Sequence, residues 1–115
     1  MEKEIKEASF KDATELKNAV YELSVDGKIN LDVLFGIGGT MEELIKNLMA
    51  LDANERTHKA IFKCLENSTI DGKPIREELF LSPELSDEYY AVMFECLERN
   101  LRPFLRALLR MLSGE

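Results

Sequence analysis

The segment GTMEELIKNLMALDANERTHKAIFKCLEN, residues 39–67 of a 115-residue chain, decides the fold class because its helical signals are the strongest. Thr40 followed by Glu43 fits a capping box, in which the hydroxyl and the carboxylate satisfy reciprocal backbone N–H groups. Asp52 and Glu55 are placed to cap a second helix. Apolar residues recur at helical spacing after each cap: Met41, Leu44, Ile45, Leu48 and Met49, then Ala60, Ile61, Cys64 and Leu65.

Downstream of this segment the helical pattern returns after one interruption. Turn formers and a proline break it at NSTIDGKP, residues 67–74. Ser86 is then predicted to cap a long final helix, and Pro103 to kink it, because proline lacks the N–H that a helix interior uses. The apolar face of this final helix is Tyr90, Met93, Phe94, Leu97, Leu101, Phe104, Leu105, Leu108, Leu109 and Leu112.

Upstream of the segment, two periodicities overlap. Apolar residues recur at helical spacing from Ala13 to Leu23, which predicts a helix ending near Leu23. Alternating residues on both sides of Asp26-Gly27 favour instead a short β-hairpin within residues 20–33, which stands as the alternative.

The domain organisation is simple. Residues 1–11 are charged almost throughout and are predicted to form a flexible charged tail. Residues 12–115 are long enough for a single helical domain with one core. The sequence therefore predicts an all-α fold, a small bundle of about five helices with a long kinked C-terminal helix.

Composition narrows the partners. The formal net charge of −7 disfavours nucleic acid, whose phosphates attract clustered cations. The chain has neither an apolar run long enough to span a membrane nor a secretion signal, so we expect it in the cytosol. Cys64 and Cys96 lie in apolar helical patterns and are interpreted as buried thiols. His58 could join them in a Cys–His pair, an interpretation that nothing in the sequence favours.

Three glycines, Gly36, Gly38 and Gly39, precede the helix that begins after Thr40. They lack the third glycine of a dinucleotide fingerprint and the lysine of a Walker loop. Glu42 and Glu43 in the first helical turn already use the positive end of the helix dipole. We therefore interpret the glycines as a turn or a hinge.

The remaining candidates for site chemistry are also weak. Asn67, Thr69, Asp71 and Glu78 match a calcium loop in part, but Pro74 occupies its apolar position and carboxylates are too few. Adjacent glutamates such as those at 77 and 78 project about 100° apart on a helix and do not face each other. The sequence predicts no cofactor, no metal and no enzyme.

The charge pattern of the C-terminus is more informative. Residues 96–115 carry four arginines and two glutamates, a net charge of +2, which leaves −9 on the first 95 residues. The arginines line one side of the last helix, which fits a solvated face over a core-facing helix. It fits equally a head-to-tail contact with a neighbouring copy, building a ring or spiral, or a helix that docks in another protein's groove. The candidate contact residues are Arg99, Arg102, Phe104, Arg106, Leu108 and Arg110.

Two stretches, GTMEELIKNLMALDANERTHKAIFKCLENSTIDGKPI and DEYYAVMFECLERNLRPFLRALLRMLSGE, resemble the tail assembly chaperones of long-tailed, lambdoid-type bacteriophages. The likeness covers residues 30–115 and consists of small size, acidity, the middle helices and the NLRPF helix near the C-terminus. It implies a non-enzymatic protein of the host cytoplasm that holds the tape-measure protein and contacts the tail-tube protein. It also implies self-association in spirals and absence from the mature virion.

A second function class stays in view. The chain could instead be a small cytosolic adaptor or regulatory domain that binds one protein partner through its C-terminal amphipathic helix. Concentration-dependent polymerisation is expected of the chaperone and not of the adaptor.

Overall fold

A computed structural model describes residues 2–35 and 38–113, apart from the side chains of residues 105 and 107–113. The chain is 68% helical, which confirms the predicted helical fold class. Its described helices are α1 (Phe10–Val25), α2 (Leu31–Leu34), α3 (Met41–Ala53), α4 (Glu55–Cys64), α5 (Pro83–Ser86) and α6 (Tyr89–Ser113), with a 3-10 helix at Glu77–Leu81. Short strands β1 (Lys3–Glu4), β2 (Thr69–Ile70) and β3 (Lys73–Pro74) form an antiparallel sheet in the order β1-β2-β3.

The core forms where α1, α3 and α4 pack against the first half of α6. Apolar residues at helical spacing on α1, α4 and the first half of α6 turn to a common centre, and α3 contributes Leu48 and Leu51 to it. The largest fully buried side chains are Leu16, Val20, Leu34, Leu51, Thr57, Ile61, Leu65, Ile70, Val92, Met93, Cys96 and Leu97.

Helix α1 settles the competition between helix and hairpin in the N-terminal third. The Ser9 hydroxyl caps its start by accepting a hydrogen bond from the Asp12 N–H. At its end, the Lys28 N–H donates to the Leu23 carbonyl at 2.9 Å, and Gly27 adopts a φ of +74°. This arrangement is a Schellman C-cap, which needs a residue in the left-handed region. The hairpin alternative for residues 20–33 is therefore wrong.

A hairpin does form, at the second Asp-Gly pair. Asp71 and Gly72 have φ values of +51° and +79°, and they join β2 to β3 in a two-residue turn. Ile70 and Ile75 on either side are buried and fix the turn to the core. The Asp71 carboxylate accepts a hydrogen bond from the Glu2 N–H at 2.7 Å, so this loop holds the N-terminus.

The segment predicted as a flexible charged tail is packed into the fold. It supplies β1 to the edge of the sheet, and Ile5 is 5% exposed. The Lys6 N–H donates to the Ser68 hydroxyl, and the Ala8 N–H donates to the Asn100 side-chain oxygen, each at 2.9 Å. Two apolar side chains, Ile5 and Ala8, and satisfied backbone groups hold this segment, and the charged residues around them obscure this in the sequence.

Two of the three predicted helix caps lie at other residues. The Thr40 hydroxyl accepts from the Glu43 N–H as predicted, whereas the Glu43 carboxylate contacts that hydroxyl rather than the Thr40 N–H. Asn54 caps α4 by accepting from the Thr57 N–H, in place of Asp52 or Glu55. Ser86 belongs to α5, and α6 starts at Tyr89. Helix α6 continues through Pro103 to Ser113.

Candidate functional site

The last part of α6, residues 102–113, is called the arm below. Leu101 is the last described side chain of α6 that is buried, whereas those of Pro103 and Arg106 are exposed. Twenty-five helical residues span about 37 Å, and the molecule measures 45 × 28 × 24 Å. Helix α6 therefore follows the long dimension, with the arm at one end of it.

Two of the predicted arginine contacts form ion pairs within α6, and a third does not. Arg99 pairs with Glu95 at 3.5 Å, and Arg102 pairs with Glu98 at 3.4 Å, both one turn apart on the exposed face of α6. Such exposed pairs contribute little to stability. Arg106 is exposed and forms no ion pair with a described side chain. The predicted contacts Leu108 and Arg110 lie outside the described side chains.

Phe104, another predicted contact, turns to the body of its own chain. Its ring lies 6.2 Å from that of Phe10, centroid to centroid, and the Lys17 ammonium sits 4.9 Å from its centre. Phe104 thereby closes one end of an apolar groove of about 420 Å³ between α1, α2 and α6. This side chain anchors the start of the arm on α1.

Part of the five-residue apolar stripe predicted on α3 is exposed, which the sequence pattern did not predict. In the structure Leu48 is buried and Leu44 is partly buried, but Met41, Ile45 and Met49 are 70%, 43% and 52% exposed. These three, the α3 stripe, stand at successive helical turns. The sequence held one indication of this, because the apolar face of α3 is wider than the contact with the core can bury.

A hydrogen-bonded cluster around His58 lies next to the end of α3. His58 Nδ1 is 2.9 Å from an Asp52 carboxylate oxygen, and Nε2 is 2.6 Å from a Glu77 oxygen. The Tyr89 hydroxyl donates to the same Asp52 oxygen. The cluster joins α3, α4, the 3-10 helix and the start of α6, so no sequence spacing could have predicted it.

The electrostatics of this cluster favour the imidazolium. Burial opposes the charge, but the hydrogen bonds to Glu77 and Asp52 outweigh it and raise the pKa of His58. Burial and the Asp52 hydrogen bond also raise the pKa of Tyr89, so its hydroxyl stays a donor. The rings of Phe62 and Phe80 pack beside Tyr89, with centroids 6.1 Å and 5.1 Å away. The arrangement can clamp four elements together as an ion-pair network.

The two ring nitrogens of His58 contact Asp52 and Glu77 rather than a thiol, so the Cys–His pair does not form. Both thiols are buried, and the adjacent Cys64 thiol, together with burial, raises the pKa of Cys96. The Cys64 thiol donates to the Asp12 carbonyl at 3.4 Å. These thiols pack as small apolar side chains, as the sequence predicted.

The glycines before α3 form a tight approach. Gly38 and Gly39 have φ values of +81° and +80°, and a Cβ on Gly39 would stand 2.6 Å from a Val33 methyl group. Glycine is required at 39 by both conformation and space. Gly36 lies outside the described residues, and the hinge role of the three glycines stays a prediction.

Comparison of the chain with protein-family models, curated proteins and solved structures gave no match. Within residues 2–35 and 38–113, no helix has the length and apolar content to cross a bilayer. In the same described part of the chain, no three His, Cys, Asp or Glu side chains cluster in a way that could hold a metal ion.

Proposed function

We propose that this chain is a non-enzymatic assembly protein, a tail assembly chaperone of a long-tailed bacteriophage, that self-associates and holds the tape-measure protein in the host cytoplasm. The observation that carries this proposal is the arm. It continues α6 past the last described buried side chain, and it holds three arginines, several leucines and no carboxylate within residues 102–113. An apolar, basic helix end on an acidic body suits contacts with other proteins.

The chemistry of the remaining polar groups supports a binding protein over an enzyme. Both ring nitrogens of His58 are engaged by carboxylates, which leaves neither as a general base. Both thiols are buried, and the adjacent Cys64 thiol and burial raise the pKa of Cys96, which disfavours the thiolate that nucleophilic catalysis needs.

Co-expression with a client tests the proposal. The probe is the product of a long coiled-coil reading frame next to the gene for this chain, the tape-measure candidate. We expect the chain to raise the soluble fraction of that product, and Arg106→Glu to abolish the gain. Lys28→Glu, with the same change in net charge at an exposed site outside α6, is the matched control. A soluble fraction independent of the chain would contradict the proposal and favour the adaptor with one partner.

A further inference from the structure

We propose that the α3 stripe is the surface on which the arm of a second copy of this chain docks. The inference rests on the self-association proposed above and adds to it the receiving surface. Each copy would present one arm and one stripe, which defines a heterologous, head-to-tail contact.

The stripe is an unusual surface for an acidic chain. Met41, Ile45 and Met49 place three large apolar side chains in solvent on consecutive turns. Contiguous exposed apolar side chains mark contact sites more often than scattered ones do. Methionine is flexible and polarizable, so it packs well against a partner helix.

The Met49 end of the α3 stripe lies near the start of α6. Asp52 lies three residues after Met49, on the same side of the helix, and it accepts a hydrogen bond from Tyr89. The Tyr90 ring lies 5.2 Å from that of Tyr89 and is 36% exposed. The Asp52–Tyr89 hydrogen bond therefore places the Met49 end of the α3 stripe near the first turn of α6, and the His58 cluster fixes the two helices relative to each other.

Length and charge select the occupant. The twelve residues of the arm span about 18 Å, and the twelve residues of α3 from Met41 to Asp52 span the same length. Helix α3 carries three carboxylates against one lysine, Lys46, which already pairs with Glu42 at 3.3 Å. The arm carries three arginines and no carboxylate. The arm and α3 thus match in length and in the sign of their charge.

The arm that fills the stripe must come from another copy. Tyr90 and Arg102 are twelve residues apart on one continuous helix, about 18 Å. The arm of the same chain also starts with Phe104 against Phe10 and Lys17 of α1. The Met49 end of the stripe and the arm of one molecule therefore lie near opposite ends of α6.

A complementation experiment with full-length chains tests the docking. Ile45→Lys alters the stripe by replacing an apolar contact with a charge that repels arginine, and Arg106→Glu alters the arm. We expect the wild type to assemble and each variant alone to remain at the 13.2 kDa of one chain. An equimolar mixture of the two should double that mass and go no further, because only one productive contact is left. Light scattering behind a sizing column gives the mass.

Two further variants complete the design. Met41→Lys changes the most exposed residue of the stripe. It should prevent assembly as Ile45→Lys does, if Ile45→Lys acts by removing the docking contact and not by disturbing the fold. Val25→Lys changes an exposed apolar residue outside the stripe and should assemble normally. Thermal unfolding followed by circular dichroism checks that every variant is folded.

The outcomes separate this inference from the proposed function. If Arg106→Glu is monomeric while both stripe variants assemble like the wild type, the docking surface is wrong and self-association through the arm stands. If Val25→Lys is impaired as much as the stripe variants, the stripe is also wrong. If the wild type stays at 13.2 kDa at every concentration, both proposals fail.

Discussion

The two halves of α6 meet different surroundings although one continuous helix carries them. The first half is built into the core through buried side chains at helical spacing, namely Val92, Met93, Cys96, Leu97 and Leu101. The described side chains of the arm are half-buried or exposed instead. We infer that folding stability resides in the first half of α6 and the proposed self-association in the arm, so substitutions should separate the two properties.

The largest effect is expected in the buried half. Leu97→Ala removes a side chain that is 1% exposed, and the cavity should lower the free energy of unfolding by about 2–5 kcal/mol. Urea unfolding measures it. The control Leu81→Ala, at a site 82% exposed, should stay within about 0.5 kcal/mol of the wild type. Equal effects at the two sites would remove the distinction between core and surface.

The next effect concerns the polar residue buried in the same half. Asn100 accepts from the Ala8 N–H and donates to the Cys96 carbonyl, each at 2.9 Å. Asn100→Ala leaves a backbone N–H without its partner and should cost about 1–3 kcal/mol. Amide exchange at Ala8 should quicken, whereas Asn18→Ala, at an exposed site on α1, should leave it unchanged. An unchanged amide exchange rate at Ala8 in the Asn100 variant would contradict a stabilising role for this hydrogen bond.

A pH-dependent effect is expected at the start of the buried half, where His58 contacts Asp52, Glu77 and Tyr89. The pKa of His58 is raised in the folded state. The contribution of its protonation to the free energy of unfolding is therefore fully present below the unfolded pKa of about 6.5. It is lost as pH rises through the folded pKa. Urea unfolding from pH 5.5 to 9 should show this loss in the wild type and a flatter profile in His58→Gln. Identical pH profiles of the wild type and His58→Gln would show that the His58 cluster does not stabilise the fold.

The smallest effect on stability, and the largest on association, is expected in the arm. Arg106→Glu should change the free energy of unfolding by less than about 0.5 kcal/mol, because the side chain is exposed. It should nevertheless abolish self-association, whereas Lys28→Glu should not. Comparing urea unfolding with light scattering on the same samples measures both. A loss of stability in step with assembly would mean that the arm is part of the fold.

The two Asp-Gly turns show what the sequence could and could not predict about the fold. The helical class and the apolar stripes followed from periodicity, and the hairpin rule for Asp-Gly was sound. The rule applied at Asp71-Gly72. Asp26-Gly27 instead ends a helix, because Gly27 adopts the left-handed conformation that the C-cap of α1 requires. The same dipeptide occurs in both kinds of turn, and a helical apolar periodicity in the preceding residues favours the helix end over the hairpin.

The site was predictable only in part, for a different physical reason. The arginines of the C-terminal helix were visible in its spacing and charge. The His58 cluster draws its members from positions 52, 58, 77 and 89, which only tertiary packing brings together. The α3 stripe looked like core in the sequence, since periodicity gives an apolar face but not which part of it a neighbour covers.

Light scattering behind a sizing column, at several protein concentrations and two salt levels, tests the central claim that the arm drives self-association. The account predicts a mass above 13.2 kDa that rises with concentration and falls with added salt, because salt screens the attraction between the arm and the acidic body. A constant 13.2 kDa under all conditions would contradict it.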